Sequence, residues 1–139
     1  MFGPVHHVGM VTRDLAAAQT HFAAIGYSPI GPPTPDERQD LEIVFLKRHG
    51  ATTAEPLVEI ISPRSPDATV YRFTTRNEYP IHHLCFVTDD IASAVANARE
   101  LRYYIVQEPV PAPAIGGSLI AFCYSRATGL IELVEQPPF

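Results

Sequence analysis

The sequence predicts an α+β fold in which one βαβββ module is written twice, and three observations predict it. Shifting residues 5–14 by 76 positions, the distance from His6 to His82, lays His6 on His82, His7 on His83, Val11 on Val87, Thr12 on Thr88 and Asp14 on Asp90. The match continues beyond this strand: Leu15, Ala18, Phe22 and Ile25 fall on Ile91, Ala94, Ala98 and Leu101, each set at the i, i+3, i+7, i+10 spacing of one helix face. Short apolar runs rich in β-branched residues then follow in both halves. Modules of about 70 residues are marginal alone, so the two are expected to share a core as a single domain. That domain spans 1–139, with modules at roughly 5–62 and 81–135 and a connector at 63–80. The expected architecture is one concave, cup-like sheet with the helices outside.

In chain order, 5–12 is alternating and β-rich, and Asp14 is placed to cap a helix over 15–25 that Gly26 ends. A short edge strand is expected at 27–30. Residues 31–38 contain Pro32, Pro33 and Pro35 and read as a loop, because proline lacks the donor that both ladder and helix need. Strands follow at 41–47 and 57–61. Within the connector, Ser65-Pro66-Asp67 is a helix-start pattern, giving one or two turns through Phe73. The second module repeats the order: strand 81–88, helix 91–101 capped by Asp90, strand 103–107, and strands 118–124 and 130–134. Residues 108–117 between them carry three prolines and then Gly116-Gly117, a loop stiff at first and hinged at its end.

Composition narrows the function classes. With 46% hydrophobic and 18% charged residues the chain reads as a soluble globular protein, and its net charge of −5 argues against nucleic acid as a partner. No run approaches the 18 or more apolar residues of a membrane span, and the N-terminal stretch lacks the basic-then-apolar build of a signal peptide. A cytoplasmic address is expected. Cys85 and Cys123 lie inside apolar runs without a CxxC spacing and read as buried thiols.

Strand parity then selects candidate site residues. Successive side chains on a strand alternate in face, so His7 and His83 lie opposite the larger apolar set expected under the helices. Their neighbours His6 and His82 are assigned to structural or surface positions. Two carboxylates are anomalous in the same way: Glu59 in Leu57-Val58-Glu59-Ile60-Ile61 and Glu132 in Leu130-Ile131-Glu132-Leu133-Val134. A bare carboxylate within an apolar strand costs several kcal/mol or turns neutral, so each requires a cation or strong donors nearby. Two imidazoles and two carboxylates related by a repeat form a ligand set for a divalent ion. Mixed nitrogen and oxygen ligands suit Zn, Ni, Co, Mn or Fe.

The double βαβββ order with His early and Glu late in each half resembles the vicinal oxygen chelate superfamily, which includes glyoxalase I, epimerases, extradiol dioxygenases and bleomycin- or fosfomycin-resistance proteins. Within it the likeness is strongest to the methylmalonyl-CoA epimerase family. Ile81-His82-His83-Leu84-Cys85-Phe86 through Asp89-Asp90-Ile91 is similar to that family's second-half opening, and Gln39-Asp40-Leu41-Glu42-Ile43 to its third strand. Gly116-Gly117 through Phe122 is similar to the family's seventh strand and Leu130-Ile131-Glu132-Leu133 to its end. The resemblance implies His7, Glu59, His83 and Glu132 as metal ligands, Glu132 as a catalytic base, Glu42 as a second base, and an acyl-CoA thioester as substrate. It also implies a homodimer. Two positions depart from the pattern: Gln39-Asp40 stands where epimerases carry Gln-Gly, and Tyr124-Ser125-Arg126 where they carry His-Pro-Lys.

The chemistry implied is proton abstraction. A divalent ion that binds two neighbouring substrate oxygens stabilises the enolate formed when a carbon acid loses its proton. A carboxylate beside it takes the proton; a second carboxylate on the opposite face gives epimerisation, whereas one working alone gives a hydrogen shift. Two alternatives share the cup. A glyoxalase I-like lyase or isomerase would use the same four ligands, and a resistance or tailoring protein would bind a larger molecule with the metal optional.

Overall fold

The computed structural model describes residues 2–76 and 80–139; Met1 and the connector residues 77–79 lie outside the described residues. Its elements are β1 (Val5–Val11), α1 (Leu15–Ala24), β2 (Tyr27–Pro29), β3 (Thr34–Asp36), β4 (Leu41–Arg48), β5 (Leu57–Pro63), α2 (Tyr71–Arg76), β6 (Ile81–Thr88), α3 (Ile91–Glu100), β7 (Tyr104–Pro111), β8 (Leu119–Ser125) and β9 (Gly129–Glu135). The α+β class and the duplicated order are as expected. The chain divides into two compact units, Val8–His82 and Met1–His7 with His83–Phe139. The start of β1 therefore belongs with the second sequence module, a boundary that the repeat does not disclose.

In the unit Val8–His82 the strands run in the order β2-β4-β5-β1, with β3 paired to β4. The Asp14 carboxylate accepts from the Ala17 N–H at 2.9 Å and so satisfies one of the donors that a helix start leaves bare. Register sorts the faces, because directly opposed residues in an antiparallel pair share a side. Val44 opposes Ile60 and Leu46 opposes Val58. These pack on Leu15, Ala18 and Phe22 of α1, so the even-numbered positions of β4 and β5 face the helix. Phe45 opposes Glu59 on the other side.

The unit Met1–His7 with His83–Phe139 has the order β1-β6-β9-β8-β7. Asp90 caps α3 by accepting from the Ser93 N–H at 3.0 Å. Helix α3 buries Ile91, Ala94, Val95 and Ala98 against Ala121, Cys123, Ile131 and Leu133 of β8 and β9. Burying its Ile and Val side chains contributes about 1.5–3 kcal/mol each. β6 runs parallel to β9 with Cys85 beside Glu132 and Phe86 beside Leu133. Phe86 packs on the helix side, which leaves His83, Cys85 and Glu132 on the opposite face.

The repeat extends to the helix ends. Gly26 and Arg102 are repeat-related, and both take the left-handed conformation, with φ of 93° and 64°. Each N–H bonds the carbonyl three residues back, Gly26 to Ala23 and Arg102 to Arg99.

Two expected loops are corrected. Thr34–Asp36 is a strand, its Pro35 opposite Glu42, and β7 extends through Pro109 and Pro111. Both lie where proline is tolerated: β3 pairs with β4 alone, and β7 is a sheet edge broken by register shifts between Ile105 and Gln107 and between Gln107 and Val110. The connector helix also starts later than expected, at Tyr71, because Ser65 Oγ instead receives the Asp67 N–H in a turn. Asp40 adopts a φ of 56°. A left-handed backbone suits glycine and tolerates aspartate.

Candidate metal centre

Three of the expected ligands meet within one unit. His7 comes from the start of β1, His83 from β6 and Glu132 from the middle of β9, and all are buried, at 0%, 3% and 2% exposure. Glu132 Oε2 lies 2.9 Å from His7 Nε2 and 3.0 Å from His83 Nε2, and the two nitrogens are 3.1 Å apart. The Phe122 ring, directly opposite Glu132 across β8 and β9, packs edge-on against the His83 imidazole with centroids 5.4 Å apart. It holds that ring in place.

Protons alone do not satisfy this triangle. Both nitrogens are within bonding distance of the same oxygen, yet two N–H groups aimed at one oxygen from atoms 3.1 Å apart would crowd each other. A cation satisfies all three lone pairs at once. Ligand bonds of about 2.1 Å set at right angles place their donor atoms about 3.0 Å apart, which is the edge length observed. Two imidazoles and one carboxylate also form a donor set for borderline divalent metals. The residues fit the group.

Electrostatics agree. Burial pushes the Glu132 carboxyl up, but the His7 and then the His83 imidazoles beside it outweigh burial and hold the group below its usual range. The carboxylate is therefore ionised at neutral pH, as a ligand or base must be.

Glu59 is in the other unit, buried at 5% exposure in β5 and sharing a face with Phe45. Glu42 is exposed, and its register opposite Ser62 puts it on the face of β4 that carries Val44 and Leu46 toward α1. The structure thus separates Glu42 from the side on which Glu59 lies. His82 packs edge-on against Phe73 with centroids 4.9 Å apart, in keeping with a structural role.

His6 takes the structural one of the two positions expected for it, not the surface one. His6 is buried beside His7, their Nδ1 atoms 2.7 Å apart, although adjacent strand residues ordinarily point to opposite faces. The signal available in the sequence was only the His-His pair itself.

Comparison with known proteins gives a consistent setting. The chain is 24% identical over 135 residues to the mitochondrial methylmalonyl-CoA epimerase of Bos taurus, covering 96% of this chain and 74% of that protein. It is 22% identical over 138 residues to the ethylmalonyl-CoA/methylmalonyl-CoA epimerase of Cereibacter sphaeroides, covering 98% and 99%. A variant of Streptomyces coelicolor methylmalonyl-CoA epimerase, solved in complex with 2-nitronate-propionyl-CoA, shares the fold with a TM-score of 0.84 at 22% identity over 97% of this chain and 98% of that one. With a family match that runs over residues 6–122, from the β1 histidines to Phe122, the chain belongs to the Glyoxalase/Bleomycin resistance protein/Dioxygenase superfamily.

Proposed function

We propose that this protein is a divalent-metal-dependent epimerase that inverts the acidic carbon of a 2-branched dicarboxylic acyl-CoA thioester. The observation that carries the reading is the buried triangle of His7 Nε2, His83 Nε2 and Glu132 Oε2, with edges of 2.9, 3.0 and 3.1 Å. Relatives that match nearly the whole chain are methylmalonyl-CoA epimerases by name, which directs the choice of substrate.

Bound by these three atoms, a divalent ion supplies Lewis-acid stabilisation of the oxygen charge that develops as the substrate carbon loses its proton. The chain's own residues do the rest. Burial of His7 and His83 keeps water from competing for the site, and Phe122 fixes the His83 ring. Glu132, ionised at neutral pH, accepts the proton from C2 while the C–H electron pair passes toward the thioester oxygen. Solvent, in place of a second carboxylate, supplies a proton to the opposite face of C2 and inverts the centre, and Glu132 releases its own proton to water.

Glu42 has no part in this scheme, since it lies on the α1-facing side of β4. Whether Glu59 is a fourth ligand is a separate question, decided by the metal content of Glu59→Ala. The reading includes a cytoplasmic, homodimeric enzyme. Sedimentation velocity tests the second point. Among the described residues no helix is long and apolar enough to cross a membrane.

The test is hydrogen exchange. Metal-loaded protein incubated in heavy water with each enantiomer of methylmalonyl-CoA should introduce deuterium at C2 of both. Absence of exchange from either enantiomer overturns the assignment, and conversion of a glutathione hemithioacetal in its place transfers it to the glyoxalase-like alternative.

A further inference from the structure

We propose that His6 is a positioning residue that sets the tautomer of His7, so that the nitrogen facing Glu132 presents a lone pair rather than a proton. The inference rests on the metal-site reading above, but its geometry lies in a different set of contacts.

Those contacts form a chain with a defined direction. His6 Nε2 lies 2.7 Å from the main-chain oxygen of Phe139. A main-chain oxygen only accepts, so the His6 proton resides on Nε2. In a neutral imidazole the other nitrogen is then an acceptor, and His6 Nδ1 faces His7 Nδ1 at 2.7 Å. With His6 neutral, the proton in that contact is supplied by His7 Nδ1. With its proton on Nδ1, His7 has a bare lone pair at Nε2, the atom 2.9 Å from Glu132 Oε2 and 3.1 Å from His83 Nε2. An imidazole that donates from its far nitrogen is also oriented and made more basic as a ligand.

Packing holds the relay together. The His6 ring is buried between the His7 ring, 5.0 Å away at 75°, and the Phe139 ring, 6.0 Å away at 35°. Phe139 lies 133 residues along the chain from His6, so the relay exists only once this unit has closed.

A rival arrangement stands on the same page. His6, His7 and Cys85 bring ligand atoms within 4.8 Å of one another and would make a second metal site. The short contact decides against it. Two nitrogens bound to one ion at about 2.0–2.1 Å stand about 3 Å apart or more, whereas 2.7 Å is the separation of atoms sharing a proton.

Two variants and one spectrum test the relay. His6→Phe keeps the ring volume without the acceptor, while His6→Asn keeps an acceptor close to the Nδ1 position. Cobalt affinity, measured by competition with a chelator, should fall about 10- to 100-fold in His6→Phe and stay within about threefold of wild type in His6→Asn. Bound cobalt should be one per chain in all three proteins. Nitrogen-15 spectra of the zinc-loaded wild type should show His7 protonated at Nδ1 and His6 at Nε2, a readout that needs no substrate and survives any failure of a variant to fold. His7 protonated at Nε2, or equal affinities for His6→Phe and wild type, would overturn the proposal. So would two cobalt ions per wild-type chain falling to one in His6→Phe, which would establish the His6, His7 and Cys85 site instead. If the wild type binds metal with His7 protonated at Nδ1 but exchanges no hydrogen at C2 of methylmalonyl-CoA, the relay stands and the epimerase reading is what fails.

Discussion

Replacing Glu132 by Gln removes the only negative charge from the three-atom cluster while leaving its shape, because the amide fills nearly the same volume as the carboxylate. The expected consequence is thermodynamic as well as catalytic. A ligand that binds only the folded state stabilises it by RT ln(1 + [L]/Kd), about 2.7 kcal/mol at a hundred times Kd. For a chain of 139 residues each kcal/mol moves the melting temperature by about 3–4 °C, so saturating metal should raise wild type by about 10 °C. Loss of a partner outside the ligand shell weakens metal binding by about 10- to 100-fold, and loss of a charged ligand costs no less. At a hundredfold the same metal concentration equals Kd, the linkage falls to about 0.4 kcal/mol and the shift to about 1–2 °C. Calorimetry of both proteins, apo and with cobalt at a hundred times the wild-type Kd, measures the two shifts. A metal-induced rise in Glu132→Gln within about 2 °C of the wild-type rise would show that Oε2 does not hold the ion.

Other expectations follow from single positions. His83→Ala should abolish stoichiometric metal binding, while His82→Ala should keep it and lose the Phe73 ring contact, about 0.5–1.5 kcal/mol by chemical denaturation. Glu42→Gln should leave bound metal and C2 deuterium exchange within about twofold of wild type, since the side chain is exposed on the α1 side of β4; loss of exchange from one enantiomer would restore it as a second base. Arg102→Gly should stabilise the protein by about 1 kcal/mol, because the arginine occupies a left-handed conformation that its repeat counterpart Gly26 adopts without cost. Burial pushes the Cys123 thiol up to about 11. The unfolded thiol ionises first, near 8.5, so this group's contribution is fully present below that pH and is lost as pH rises toward 11. The stability difference between wild type and Cys123→Ala, read by urea titration between pH 7 and 11, should shift in favour of the variant over that window, and native Cys123 should resist a thiol reagent at pH 8.

The sequence by itself determined what depends on local rules and on repetition. Asp14 and Asp90 were legible as helix caps because a carboxylate at that position bonds an N–H three residues on, whatever else the fold does. The faces of His83 and Glu132 followed from a period of two, and the shared offset between modules turned isolated anomalies into a candidate ligand set. Prolines in 31–38 and 108–111 misled for an equally local reason. Proline forbids a central strand but not an edge, and only the sheet order shows which strands are edges. Glu42 was chosen by likeness, and its face is set by pairing with Ser62, a contact twenty positions away in sequence. What only the tertiary structure decided is which groups stand within hydrogen-bond reach when they are remote in the chain: His7 with Glu132, and His6 with the oxygen of Phe139. A strand's alternation says which way a side chain points, but the proton on His7 depends on an acceptor whose own partner arrives from the far end of the chain, and no local pattern encodes that meeting.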